Sequence, residues 1–164
     1  MKFIVNDILM NLENMQDLFV GVNKIGKNKK ALKNQINDLF KSEDAICVFP
    51  AGLVSRKTKG EIKDLHWKKT FVNYARKHDR IIVPIYIDGS LSNFFYRLSN
   101  FRKFIGIKTN IELLYLVNEL FKQRNKTTKF IIGHPIDDSL IKSTKKDIEV
   151  AEEIKTIVYS LKNN

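Results

Sequence analysis

An apolar, partly β-branched run at residues 45–49 stops at Pro50, and Gly52, Ser55 and Arg56 follow within a few positions. A short run of this composition suits the interior of a sheet. Pro50 has no N–H for the next rung of a ladder, so a buried strand has to end there. Gly52 permits a tight turn that leaves backbone N–H groups exposed, Ser55 adds a hydroxyl donor, and Arg56 adds a planar fork of permanent charge. Backbone amides beside an arginine commonly hold phosphate or carboxylate, which makes Gly52, Ser55 and Arg56 candidate anion-binding residues. An ordinary strand exit with a solvated arginine has the same composition.

With 164 residues, 43% of them hydrophobic and 29% charged, the chain has enough material for one domain with a real core, and disorder is excluded. Lysine and arginine total 29 against 18 acidic residues, a formal charge of +11 that calls for an acidic partner or surface. Nucleic acid, anionic lipid and an acidic carrier protein all qualify by charge, but no nucleic-acid-binding signature is present, which makes nucleic acid the weakest of the three. The single Cys47 excludes an internal disulfide and sits inside the strand run, where it reads as core packing. No stretch approaches the roughly 20 apolar residues that span a bilayer, and no signal peptide is evident, so a soluble or peripheral protein is expected. No cofactor or metal motif is apparent.

Residues 2–5 read as a strand, followed by a helix capped at Asn6 and Asp7 and carrying Ile8, Leu9, Leu12 and Met15. After a short apolar run at 19–22 comes a basic turn at 26–30, then an amphipathic helix over 31–40. Residues 57–60 read as a polar, mobile loop. A helix follows over 65–77, then a buried strand over 81–86 in which Pro84 marks a sheet edge or bulge. Ser92 caps a helix with Phe94, Leu98, Phe101 and Ile105 on one stripe; such a stripe most often packs on a sheet, and a lipid surface is the alternative. Residues 111–121 read as a well-buried helix, 129–133 as a last strand, and 147–161 as a final helix. This alternation predicts an α/β domain, a mixed, largely parallel sheet with helices packed on it.

The order of these blocks resembles a known family. Phe49-Pro50-Ala51-Gly52 through Ser55-Arg56 is similar to the F-P-E-G-(S/T)-R block of the glycerol-phosphate and lysophospholipid acyltransferase superfamily, and residues 81–85 to its later V-P-(I/V) block. Residues 93–98, 106–108, 110–112 and 132–136 resemble a bacterial hemolysin-like subset, some members of which O-acylate lyso-ornithine or lyso-glycine lipids. The resemblance covers essentially the whole chain. It implies a glycerolipid acyltransferase-like fold and transfer of a fatty acyl group from acyl carrier protein or acyl-CoA to a lyso-lipid hydroxyl. The place would be an anionic membrane surface, with the protein cytoplasmic and peripheral at the inner face of the cell membrane. In that family a His-x-x-x-x-Asp pair supplies the general base, and further blocks contact the acceptor headgroup.

The chain departs from this pattern. Its histidines are His66, His78 and His134, and the residues five positions on are Phe71, Val83 and Ser139, so no catalytic residue carries over. By family order the pair would lie just upstream of residues 2–5, whose abrupt start fits a single domain lacking its N-terminal catalytic part and inactive alone. Ala51 replaces the family glutamate. The resemblance assigns acceptor or anion binding to Gly52, Ser55 and Arg56, with Lys24 standing for the arginine of a loosely matched second block. The competing expectation is a non-catalytic module that docks on anionic membrane or acyl carrier protein.

Overall fold

The computed structural model describes residues 1–6, 9–10, 13–22 and 29–163. Lys24 and most of the basic turn at 26–30 lie outside the described residues, as do four residues of the helix expected after Asn6; Glu13–Leu18, at that helix's end, forms a 3-10 helix. The chain is a mixed α/β fold. Strands β1 (Lys2–Asn6), β2 (Phe19–Val22) and β3 (Ile46–Val48) form a parallel sheet with β1 in the centre, Phe3 opposite Phe19 on one side and Cys47 on the other. Helix α1 (Lys29–Lys41) leads into β3, the strand that stops before Pro50.

Val48 is the point where two cores meet. On one side Ile36, Phe40 and Tyr74 pack with Ile4, Val22 and Ile46, and the Phe40 and Tyr74 rings stack with centroids 4.9 Å apart. On the other, helix α2 (Thr70–His78) packs against helix α6 (Asp147–Ser160) through Phe71, Val72, Val150, Ala151 and Ile154, and Val48 and Ala51 lie against this cluster. Val72 and Val150 are wholly buried, and each such side chain stabilises the fold by about 1.5–3 kcal/mol. Arg76 ties α2 to the loop before α6, donating to the carbonyl of Ile141 at 2.6 Å and to Asp147 at 2.7 Å. The short helix α5 (Asp138–Ile141) lies in the same corner. The helix expected from residue 65 starts only at Thr70, with Trp67 buried ahead of it and donating to Asp64.

Residues 57–60, expected to be mobile, are an ordered hairpin. Strand β4 (Arg56–Thr58) pairs antiparallel with β5 (Glu61–Lys63), and the two linking residues, Lys59 and Gly60, both have positive φ, 52° and 86°. That is the backbone of a type I′ turn, whose twist matches its strands.

Strand β6 is Ile85–Asp88 rather than 81–86, and it pairs antiparallel with β7 (Lys129–Ile132). The ladder begins directly after Pro84, which cannot donate, although the Pro84 and Ile82 carbonyls still accept from Gly133 and Ile136. Ile81 and Val83 are exposed where burial was expected.

Two further expectations fail, in helix α3 (Asn93–Phe104) and the segment that follows. Ser92 caps α3, accepting from the Phe95 N–H at 3.3 Å, but α3 buries Phe95, Tyr96, Ser99 and Arg102 and turns the Phe94, Phe101 and Ile105 stripe outward. Residues 111–121, expected as one buried helix, are a 3-10 helix (Ile111–Tyr115) and helix α4 (Leu116–Phe121). Their buried residues are Glu112 and Glu119, while Leu114, Val117, Leu120 and Phe121 are 65–82% exposed.

Candidate functional site

Arg56 opens β4 and is only 5% exposed. Its Nη1 donates to the carbonyls of Val54 and Ser55 at 3.1 and 3.4 Å, and its Nη2 to Glu112 Oε1 at 2.9 Å. Arg102, reaching across from α3, brings its Nε to 2.8 Å from Glu112 Oε2 and its Nη2 to 3.4 Å from Oε1, while the Ser99 hydroxyl donates to Oε1 at 3.4 Å. The remaining Arg102 donors go to the carbonyls of Ile107 and Lys108 and to Asn110 Oδ1. The Arg56 guanidinium also lies 5.8 Å from the centre of the buried Phe95 ring, an added cation–π contact. Two guanidiniums thus share one carboxylate, and the cluster carries a net positive charge. Burial pushes the Arg56 guanidinium below its ordinary value and Glu112 pulls it back up; an arginine stays cationic throughout.

Arg56 lines a cavity of about 300 Å³ together with Thr58, Lys59, Glu61, Lys63, Asp64, Leu65 and Lys103. Lys63 is paired with Glu61 at 2.6 Å, and Asp64 accepts from Trp67. Lys59, at the hairpin tip, and Lys103, on α3, form no ion pair among the described residues. The cavity is therefore lined by two lysines without an ion-pair partner and by Arg56 of the buried positive cluster, an arrangement that attracts a carboxylate or phosphate.

The expected anion site is only partly assembled by this geometry. Ser55 faces elsewhere: its hydroxyl lies 3.4 Å from the Tyr96 phenol, which accepts from the Leu91 N–H, and Tyr96 borders a second cavity of about 240 Å³ with Lys57, Asn93, Arg97 and Asn100. Gly52 lines neither cavity. It closes the turn after β3, with φ at 65° and its N–H donating to the Phe49 carbonyl at 2.9 Å, so that amide is not free for a ligand. The next tie in this loop is Lys68 N–H to the Pro50 carbonyl at 3.0 Å. The Ala51 side chain packs against the Trp67 cluster. Lys24 lies outside the described residues.

Sequence reasoning missed Glu112, Arg102, Lys59 and Lys103. The signal for Glu112 was present: a lone carboxylate inside the apolar run 111–117 needs a buried cation as partner. None of the three histidines lines either cavity. His78 contacts Asn37 Oδ1 at 3.1 Å and stacks over Tyr74, and burial together with the Lys77, Lys41 and Arg80 cations pushes its imidazole below the ordinary value. His66 is fully exposed near Glu152, and His134 is exposed. Burial pushes the Cys47 thiol up, which keeps it protonated and unreactive at neutral pH.

A family model described as Acyltransferase matches residues 1–164. The chain belongs to the acyltransferase family. It is 44% identical over 160 residues to the lyso-glycine lipid O-acyltransferase of Bacteroides thetaiotaomicron and 42% identical over 160 residues to that of Phocaeicola vulgatus. The match covers 98% of this acyltransferase-family chain in both cases, but 59% and 57% of the relatives, so the chain spans less than two thirds of their length. No solved structure matches it. Among the described residues of this acyltransferase-family chain, no group of histidine, cysteine and carboxylate side chains has the geometry of a metal site.

Glu119 anchors the other end of α3. Its carboxylate is 1% exposed and accepts from the Ser92 N–H at 2.6 Å, the Ser92 hydroxyl at 2.7 Å and Lys122 Nζ at 2.8 Å. Burial by itself would raise its pKa, but the Lys122 ammonium and the two Ser92 donors override that and hold the carboxyl below its ordinary 4.5. A carboxyl depressed by folding stabilises the native state above its unfolded value and loses that contribution as pH falls through the folded one. Urea midpoints measured downward from pH 6 should therefore fall below about pH 4.5. Glu119→Gln should be less stable at pH 6 and show a shallower acid slope; parallel curves for both proteins would remove Glu119 from this role.

Proposed function

We propose that this chain is the acceptor-recognising part of an enzyme that moves a fatty acyl group from a thioester, on acyl carrier protein or coenzyme A, to the hydroxyl of a lyso-lipid with an anionic headgroup. The observation that carries the reading is the cavity lined by Lys59, Lys103 and Arg56, inside the segment that matches the lyso-glycine lipid O-acyltransferases. A glycine headgroup presents a carboxylate, and Lys59 and Lys103 are the groups that would meet it, with Arg56 holding the local potential positive behind them. In the reaction the acceptor oxygen attacks the thioester carbonyl. The tetrahedral oxyanion then collapses with loss of thiolate, and the hydroxyl proton passes to a base and on to the departing sulfur. Because no histidine of this chain stands at the cavity or has an aspartate five positions on, that base is assigned to sequence outside the 164 residues, in the part of the enzyme to which the longer relatives also extend. The acceptor is taken from an anionic membrane, which puts the protein at the cytoplasmic face as a peripheral enzyme of lipid biosynthesis.

The test is acyl transfer by an enzyme that contains this chain, offered acyl carrier protein and coenzyme A thioesters, with product followed by mass spectrometry. Transfer to lyso-glycine lipid in preference to the same lipid with a carboxamide headgroup is expected. Equal use of the two acceptors would refute an anion-recognising site, and absence of transfer together with acyl-carrier binding would favour the non-catalytic docking module.

A further inference from the structure

The segment 89–128 is built inside out for water. Its only carboxylates, Glu112 and Glu119, are buried, whereas Phe104, Leu114, Val117, Leu120 and Phe121 stand 65–88% exposed. The two helical pieces that carry them are joined. Phe94, on the outward stripe of α3, meets the Tyr115 ring edge-on at 5.2 Å and lies 5.9 Å from Lys122 Nζ, which joins α3 to the 3-10 helix and to α4. The turn between them is fixed by Arg102, through the Ile107 and Lys108 carbonyls and Asn110. Every exposed charge of the segment is positive: Arg97, Lys103, Lys108, Lys122, Arg124 and Lys126.

We infer that this α3–α4 face is the surface by which the protein seats itself on an anionic bilayer, with the aromatic and aliphatic side chains entering the headgroup–acyl boundary and the cations meeting lipid phosphates. Charge chooses this occupant. Of the six cations only Lys122 has a carboxylate partner, Glu119, so a second copy of the chain would bring the same excess of positive charge against this one, whereas a phosphatidylglycerol-rich surface complements it and accepts the apolar side chains as well. Among the described residues no helix is long and apolar enough to cross a membrane. A second exposed apolar face, formed by Ile85, Ile87, Phe130 and Ile132 on β6 and β7, serves as the internal control. The inference rests on the proposed lipid substrate for its biological sense, but its test uses no acyl donor and reads membrane contact alone.

The full chain is floated with phosphatidylcholine vesicles, with or without about a quarter phosphatidylglycerol, in low and high salt. Binding is expected only with the anionic vesicles, weakening as salt rises. Phe104→Ser combined with Leu120→Ser and Phe121→Ser should reduce it at least tenfold, and Ile132→Ser should leave it unchanged. In a Cys47→Ala background, an environment-sensitive dye at Phe104→Cys or Leu120→Cys should shift to the blue and be quenched by brominated lipid, and a dye at Ile132→Cys should not. Undiminished flotation of the triple variant, quenching confined to position 132, or a dimer in sedimentation that the triple variant dissociates would each overturn the proposal. If flotation behaves as expected and acyl transfer fails, the membrane face stands and the enzymatic reading falls.

Discussion

Glu112→Ala is expected to lower folding stability by about 3–5 kcal/mol, because it leaves two buried guanidiniums facing each other with no counter-charge. Domains of this size carry about 5–15 kcal/mol in total, so the variant should unfold at a much lower urea midpoint with its slope unchanged. The geometry makes the effect large. Glu112 is wholly buried, Arg56 and Arg102 are each 5% exposed, and both guanidiniums reach the carboxylate within 2.9 Å. Neither arginine can shed its proton to escape the cost. Glu112→Gln keeps the shape and removes the charge, and it should show most of the same loss. Replacing all three residues by apolar ones of similar size should restore much of the stability, since a buried ion cluster seldom outperforms good packing. If the single variants prove as stable as the parent, the cluster does not hold α3 to the β4–β5 hairpin as described.

The second large effect is on acceptor use. In an acyl-transferring enzyme containing this chain, Arg56→Ala should reduce kcat/KM for the lyso-lipid about 100-fold, equivalent to about 2.7 kcal/mol at the transition state. The loss has two parts: the positive potential behind the cavity falls, and Glu112 turns from a shared partner into an under-compensated anion beside the place where an acceptor carboxylate would sit. Arg56→Lys should not rescue it. An ammonium cannot reach Glu112 and the carbonyls of Val54 and Ser55 with the fixed fork that the guanidinium provides. Kinetics assayed well below the midpoint temperature of each variant separate this from simple unfolding, and unchanged kinetics with a lowered midpoint would make Arg56 structural only.

The strand exit at Pro50 was legible because a missing N–H is an absolute constraint on a ladder, and β3 does stop just before it. The mixed α/β layering was legible from periodicity for the same kind of reason. Residues 111–121 differ from expectation because an apolar run does not show by itself whether it faces a protein core. Here Arg56, Arg102, Ser92 and Lys122 draw the two glutamates inward, and Leu114, Val117, Leu120 and Phe121 are turned out. The lone carboxylate in an apolar run is the local trace, but its partner Arg56 lies 56 residues away and cannot be identified from the run itself. The same holds for the site: Arg56 is visible in its motif, but Lys103, which lines the same cavity, comes from α3, and the hairpin that presents Lys59 depends on a positive φ that a lysine seldom adopts.

The cavity lined by Lys59, Lys103 and Arg56 is the proposed seat of the acceptor's headgroup. Titration of a short-chain, monomeric lyso-glycine lipid into the protein, followed calorimetrically, reads this without any acyl donor. Lys103→Ala and Lys59→Ala together should weaken binding at least tenfold, about 1.4 kcal/mol or more, while leaving the urea midpoint in place, since both ammonium groups are exposed. The same affinity in parent and double variant would contradict the account.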